Sequence, residues 1–275
     1  MEKVFTENDL EILVATMNRT NLDFLTTMFP NNHFSEYSIL IINQSNDTSL
    51  ASKYPSVRII NSDSVGLSKS RNLALKNANG KIVLITDDDV VFLKDFVSKI
   101  ITGYNKCKNA TVINFAAVIG NGNYLKKYPA YSKKQLNTFD IFNVSSIEMT
   151  INKERLDSTG VLFDENFGLR SKFEMGEEAV FLFDLENKKE QIFFENQIIV
   201  EHKKITTSSK KSIAEKYYNQ GALLTRVFQS KYMFWLIVKV FFDLKQNKLG
   251  FKTLFQALKS AKRGRERMIY IQNEK

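Results

Sequence analysis

The sequence predicts an α/β protein with a mostly parallel central sheet and a helical C-terminal appendage, and three observations carry that prediction. Five short runs rich in Val and Ile occur in the first 120 residues, segments with helical spacing separate several of them, and only helical patterns follow residue 210. The runs are "EILVAT" (11–16), "SILIIN" (38–43), "VRIIN" (57–61), "KIVLIT" (81–86) and "TVINFAAVIG" (111–120). Their near-continuous apolar character marks strands covered on both faces, as in a parallel sheet. Strands alternating with helices give a doubly wound arrangement, in which ligands sit beyond the carboxyl ends of the strands.

Helical patterns fill the gaps in order. In "LSKSRNLALKNANG", Leu67, Leu73 and Leu75 line an apolar side, Ser68 suits a cap, and Asn79-Gly80 supplies the stop. "LKDFVSKIITGYNKC" sets Phe96, Val97, Ile100, Ile101 and Tyr104 toward a core. Residues 121–160 have a mixed character and receive no assignment. A helix is expected from Gly176 to Lys189, and "QIFFENQIIVEH" reads as one or two strands. "SIAEKYYNQGALLTRVFQ", "KYMFWLIVKVFFDLKQN" and "LGFKTLFQALKSAKRGRERM" read as helices, dividing the chain into an α/β domain at 1–208 and a basic, amphipathic helical region at 209–275.

Composition narrows the functional classes. A single cysteine, Cys107, excludes a disulfide framework and a cysteine-rich zinc site. The N-terminus has the pattern of neither a secretory signal nor a transit peptide, so a cytoplasmic protein is expected. The longest apolar stretch, Met233 to Phe242, is interrupted by Lys239 and falls short of the roughly 20 residues that span a bilayer. Net charge is +9, and the last 32 residues hold nine Lys or Arg against two Glu, a local balance of +7. A basic tail after an aromatic helix points to peripheral contact of residues 231–275 with an anionic membrane surface, such as the inner face of the cell membrane. The basic residues are not interleaved with a nucleic-acid recognition motif, so no nucleic-acid partner is expected.

The chemistry concentrates where "KIVLIT" runs into Asp87, Asp88 and Asp89. Three adjacent carboxylates repel one another unless turn geometry separates them or a cation bridges them. Residues i and i+2 of a strand point the same way, so Asp87 and Asp89 can face one ligand. A few hard oxygen donors suit Mg²⁺ or Mn²⁺, which complete their shells with water and phosphate. A solvated turn accounts for the same residues equally well. Fifteen residues upstream, "GLSKSRN" places Arg71 and Asn72 in the first turn of a helix, where free amides favour anions and an arginine fork fits a base edge or phosphate.

In that order, "ATMNR", "NQSND", "GLSKSRN", "ITDDDV" and a late "GEE" resemble the family 2 glycosyltransferases of bacterial surface-polysaccharide type, enzymes of GT-A (nucleotide-diphospho-sugar transferase) fold, over roughly residues 10–205. The resemblance implies that Thr16, Asn18, Asn43 and Gln44 line a nucleotide pocket and that Arg71 and Asn72 hold base or diphosphate. It implies that Asp87 and Asp88 lie near the ribose, and that Asp89 binds Mn²⁺ or Mg²⁺, with Asp87 and His202 nearby. Lys203 and Lys204 would add positive charge there. The family often carries an acidic pair where this chain has Asn43-Gln44, which leaves the base open although an amide can accept from a uracil imide. In "GEE" the resemblance makes Glu178 the general base and Glu177 its support. It implies a donor nucleotide sugar, most simply a UDP-sugar, an inverting transfer, and a saccharide or lipid-linked acceptor. Two alternatives remain at this level. A sugar nucleotidyltransferase would carry a glycine-rich phosphate loop, which "ILVATMNRTN" lacks, and a polyanion or membrane-binding module would leave "DDD" and "GEE" without a task.

Overall fold

The structure, a computed structural model, describes residues 4–47, 49–202 and 211–274. Its strands are β1 (Leu10–Met17), β2 (Ile39–Gln44), β3 (Val57–Ser62), β4 (Ile82–Asp87), β5 (Val90–Phe92), β6 (Ala110–Ile119), β7 (Met149–Asn152) and β8 (Gln191–His202). Its helices are α1 (Asp23–Met28), α2 (Leu67–Asn77), α3 (Phe96–Lys106), α4 (Thr138–Ile141), α5 (Lys153–Thr159), α6 (Glu177–Asn187), α7 (Ile213–Phe228), α8 (Tyr232–Lys245) and α9 (Phe251–Asn273). The strands form one sheet in the order β3-β2-β1-β4-β7-β6-β8-β5. Pairing is parallel at β3/β2, β2/β1, β1/β4 and β6/β8, and antiparallel at β4/β7, β7/β6 and β8/β5.

The five apolar runs are β1 to β4 and β6, each within a residue or two of the expected bounds. Burial on both faces explains their composition: Leu13, Leu40 and Val83 point into one core layer, while Ile12, Ile41 and Leu84 point into the other. "QIFFENQIIVEH" is one strand, β8, whose register shifts against β6 and whose end pairs with β5. The unassigned stretch holds β7, which inserts antiparallel between β4 and β6.

Helix α2 departs from expectation in two details. The buried side of α2 carries Ser68, Ser70 and Arg71 beside Ala74 and Leu75, because this face supports a polar site rather than a purely apolar core. Ser68 does not cap the helix: Gly66 is the N-cap, and the Ser68 hydroxyl donates to the Phe167 carbonyl at 2.6 Å.

The C-terminal helices pack on the body of the protein. Ala222 and Leu223 of α7 and Met268 and Ile271 of α9 belong to the same core layer as Leu13 and Val83 of the sheet. The boundary expected at 208/209 falls outside the described residues. No helix among the described residues is long and apolar enough to cross a membrane.

Helices α7 and α9 meet backbone to backbone. A Cβ added at Gly221 would lie 2.0 Å from the Ala261 carbonyl oxygen. At Gly264 one would lie against the Tyr218 carbonyl oxygen, so both glycines are required by close approach rather than by a turn. At an exposed helical site Gly→Ala stabilises by about 1 kcal/mol. Here the sign is expected to reverse: Gly221→Ala should lose about 1–3 kcal/mol through overpacking, read as a lower urea midpoint at unchanged slope.

Candidate active site

Strands β1 and β4 run parallel and side by side, with Ala15 opposite Asp87, so the residues leaving both tips share one edge of the sheet. Helix α6 and a 3-10 turn at Ser146–Glu148 close the other walls of a cleft of about 600 Å³. That volume is ordinary for a small-molecule site.

At its floor lies Arg71, 2% exposed. One guanidinium nitrogen, Nη1, lies 3.2 Å from Glu177 Oε1 and 3.3 Å from Glu178 Oε1. The other, Nη2, donates to Ser146 Oγ at 2.7 Å and lies 3.5 Å from Asp87 Oδ1. A buried arginine must be paired or its desolvation is uncompensated, and here it gathers side chains from β4, α6 and the 3-10 turn. Burial alone would lower its pKa, but Glu178, Asp87 and Glu177 outweigh that and raise it. Nε alone has no hydrogen-bond partner among the described residues.

The three aspartates diverge toward three cation-capable groups. Asp87 turns to Arg71, and burial in the cleft raises its pKa despite that neighbour, with Glu178, Asp89 and Asp88 adding to the rise. Asp88 accepts from the Thr16 hydroxyl and from Arg19, whose Nε and Nη2 lie at 2.8 and 2.7 Å. Asp89 is half exposed at the mouth, with Oδ1 3.8 Å from His202 Nε2. Turn geometry and separate partners thus relieve the repulsion within "DDD".

Of the residues singled out from sequence, Thr16, Gln44, Arg71, Asp87, Asp88, Asp89, Glu177, Glu178 and His202 line this one cleft. Three others do not. Asn43 is fully buried; its amide clasps the backbone of Arg19 through N–H and C=O at 3.0 and 3.1 Å and donates to Asn61 at 3.0 Å. Asn72 clasps the backbone of Phe163 in the same way, at 2.9 Å in both directions. Asn18 sits in the left-handed region at φ 54°, turning the chain after β1 so that Arg19 reaches Asp88. These amides therefore shape the loops beside the cleft, and Gln44, at the cleft edge, donates to the Gly66 carbonyl at 3.1 Å. Lys203 and Lys204 lie outside the described residues.

Sequence reasoning missed Arg19, Ser146, Arg170 and Lys211. The only signal for Arg19 was a cation just past the end of β1, beside the strand that ends in aspartates. Lys211 lies at the cleft wall with Nζ 2.7 Å from the Glu174 carbonyl and 3.0 Å from its carboxylate.

Charge bears on what the cleft can hold. Among the described residues, six carboxylates (Asp87, Asp88, Asp89, Glu174, Glu177, Glu178) line it beside three cationic side chains (Arg71, Arg170, Lys211). Such a lining favours a polyanionic ligand that arrives with a cation of its own. No group of three or more His, Cys, Asp or Glu side chains among the described residues forms a ready-made metal cage. Asp89 with His202 is instead a partial donor set at the mouth, which fits an ion that takes its remaining ligands from phosphate and water.

Helix α6 begins at Gly176, at φ +93°, where an added Cβ would lie 2.9 Å from a Leu223 methyl group of α7. Glu177 and Glu178 follow in its first turn, where the helix dipole favours negative charge. Burial and the adjacent Glu178 nevertheless push Glu177 up to about 7, against the pull of Arg71. Its native pKa thus exceeds the unfolded value of 4.5, so the stability this proton provides is full below pH 4.5 and is lost as pH rises through 7. Melting temperatures of the parent should fall across that window, whereas Glu177→Gln, always neutral, should be flatter. By about pH 8 the variant should be the more stable, by up to about 3 kcal/mol; equal pH profiles would show that Glu177 is ionised throughout.

Comparison with known proteins accords with this fold. The family model described as glycosyl transferase family 2 matches residues 12–174. No curated protein matches the chain. Among solved structures, S. aureus TarS 1-349 is similar at 13% identity and a TM-score of 0.55, over 80% of this chain and 65% of that one. The same fragment in complex with UDP-GlcNAc is similar at 14% identity and a TM-score of 0.55, over 80% and 66%. In complex with UDP the values are 14% and 0.53, over 80% and 65%. The chain therefore spans about two thirds of the length of these fragments, and at such identity the likeness is one of fold. The family match covers more than half of the chain, from β1 past the tip of β4 to the threshold of α6: the chain belongs to glycosyl transferase family 2, a family of enzymes with the GT-A fold.

Proposed function

We propose that the protein is an inverting, metal-dependent glycosyltransferase that moves a sugar from a nucleoside-diphosphate donor to a hydroxyl of a saccharide or lipid-linked acceptor, in surface-polysaccharide synthesis. The observation that carries this reading is the excess of carboxylates, among the described residues, in a cleft that also presents Asp89 and His202 at its mouth. A diphosphate is repelled by such a lining unless a divalent cation accompanies it. TarS is described in complex with UDP-GlcNAc, which favours a UDP-sugar as the donor here. The division into residues 1–208 and 209–275, cytoplasmic residence, and membrane contact through residues 231–275 belong to the same reading.

In this mechanism Asp89 and His202, together with Asp87, would hold Mn²⁺ or Mg²⁺. When bound, such an ion supplies positive charge against the departing diphosphate. Glu178 accepts the proton of the acceptor hydroxyl, whose oxygen forms the new bond to the anomeric carbon. The bond from that carbon to the diphosphate oxygen breaks, its electron pair leaves with the diphosphate, and the configuration inverts. Arg71 orients Glu178 through Nη1, and Glu177, pushed up to about 7 by burial and by Glu178, limits the negative charge around it. Thr16 and Arg19 hold Asp88 at the face expected to meet the nucleoside.

Two substitutions separate the roles. Glu178→Gln should lower transfer by about 10²–10⁴-fold, the usual contribution of a general base, without changing Mn²⁺-dependent UDP affinity. Asp89→Ala should lower both transfer and that affinity. Parental turnover in Glu178→Gln would remove Glu178 from the reaction. Slow release of nucleoside diphosphate from a nucleotide sugar in the presence of Mn²⁺ marks a transferase, whereas pyrophosphate release would mark a nucleotidyltransferase.

A further inference from the structure

Helix α8 is amphipathic the wrong way round for a helix facing water. Its charged pair, Lys239 and Asp243, is turned toward α7: Lys239 Nζ lies 2.6 Å from Asp243 Oδ1, and the Tyr217 hydroxyl donates to Asp243 at 2.9 Å. Trp235, on the same inner side, stacks on Phe228 of α7 with ring centroids 4.4 Å apart. The outer side presents Met233, Phe234, Ile237 and Phe241, and the first two turns of α9 expose Phe251 and Phe255. These six are between 57% (Met233) and 84% (Phe251) exposed. An apolar surface of this extent on a folded chain marks a docking site.

Charge identifies what docks. From Lys231 to Lys259 the sequence holds six lysines and one carboxylate, and that carboxylate is the buried Asp243. The exposed charged side chains of this stretch, Lys245, Lys248, Lys252 and Lys259 among them, are therefore of one sign. A second copy of this face would bring like charges together, which disfavours a symmetric dimer. A surface that is apolar at its centre and anionic around it satisfies both features at once, and a bilayer with acidic headgroups has that layering.

We infer that the outer face of α8 and the first turns of α9 form a docking surface for an anionic lipid bilayer, with α8 lying in the interface plane, its phenylalanines among the acyl chains and the lysines at the headgroups. This deepens the membrane part of the proposed function, and it depends on no step of sugar transfer. Because α9 is fixed to α7 by the close contact at Gly221, and α7 abuts Gly176 at the start of α6, the docked face and the cleft belong to one packed unit.

The test uses the full chain and vesicles of phosphatidylcholine with or without phosphatidylglycerol, read by co-sedimentation. The protein should partition to vesicles containing phosphatidylglycerol, less so as salt rises, and weakly to phosphatidylcholine alone. Phe251→Ser with Phe255→Ser should lower the partition about a hundredfold, about tenfold for each buried side chain removed. Lys248→Glu with Lys252→Glu should lower it by about 25-fold or more, about fivefold for each lysine lost. Tyr131→Ser, at an 83% exposed position outside α8 and α9, should leave it unchanged. All these side chains are exposed, so the variants should keep the parental melting temperature. The inference is overturned if the parent ignores acidic vesicles, or if the phenylalanine variants bind as the parent does. It is also overturned if light scattering finds a parental dimer that the same variants convert to monomer, which would make a second copy the occupant. Metal-dependent nucleotide-sugar hydrolysis in the same preparations separates the two readings: lost docking with hydrolysis intact removes only the membrane surface, and docking without hydrolysis removes only the transferase.

Discussion

One charge withdrawn from water organises this molecule. Arg71 lies on the inner side of α2, and its guanidinium can be accommodated only because Asp87, Glu177, Glu178 and Ser146 converge on it. Those partners come from the end of β4, the first turn of α6 and the 3-10 turn before β7, three segments far apart in the chain. Each would repel or strand the others without the arginine. The same ion cluster therefore closes the tertiary structure around the sheet edge and defines the floor of the cleft. Buried ion pairs are an expensive way to gain stability compared with apolar packing, so their presence here is better explained by the chemistry they hold in place.

Around that floor the acidic groups are graded instead of equivalent. Glu177 is deepest and retains a proton near neutrality, Asp87 is raised by burial, and Asp89 stands at the open mouth beside His202. Asp88 is tied down by Thr16 and Arg19. Adjacent residues in a three-aspartate run thus have three different environments, because the chain turns sharply between β4 and β5 and each side chain leaves in its own direction.

Much of this architecture was legible in the sequence, for identifiable reasons. β1 to β4 and β6 were readable because strands buried on both faces must be almost wholly apolar, and "DDD" and "GEE" stood out as charge beside such runs. β7 was not readable: "MTIN" is four residues long and is a strand only because β4 and β6 leave a gap for it. The polar residues at strand and helix ends were readable as a group but not individually. Asn43 and Asn72 have the look of ligand-binding amides, yet each is matched to the backbone of one distant residue, Arg19 and Phe163. Such a match is a property of the folded loops, and no local pattern announces it. Arg19 was missed for the complementary reason, since its direction depends on the left-handed turn at Asn18.

The seam between α7 and α9 bears on how the chain can be taken apart. Where two helices touch through glycine, and one of them also fills space behind Gly176, the final third of α9 with Met268 and Ile271 is structural filling for the sheet and not a removable extension. Trimming the protein after α7 would expose core side chains and loosen the scaffold behind Glu177 and Glu178. Soluble versions are accordingly better sought by polishing the outer phenylalanines than by shortening the polypeptide.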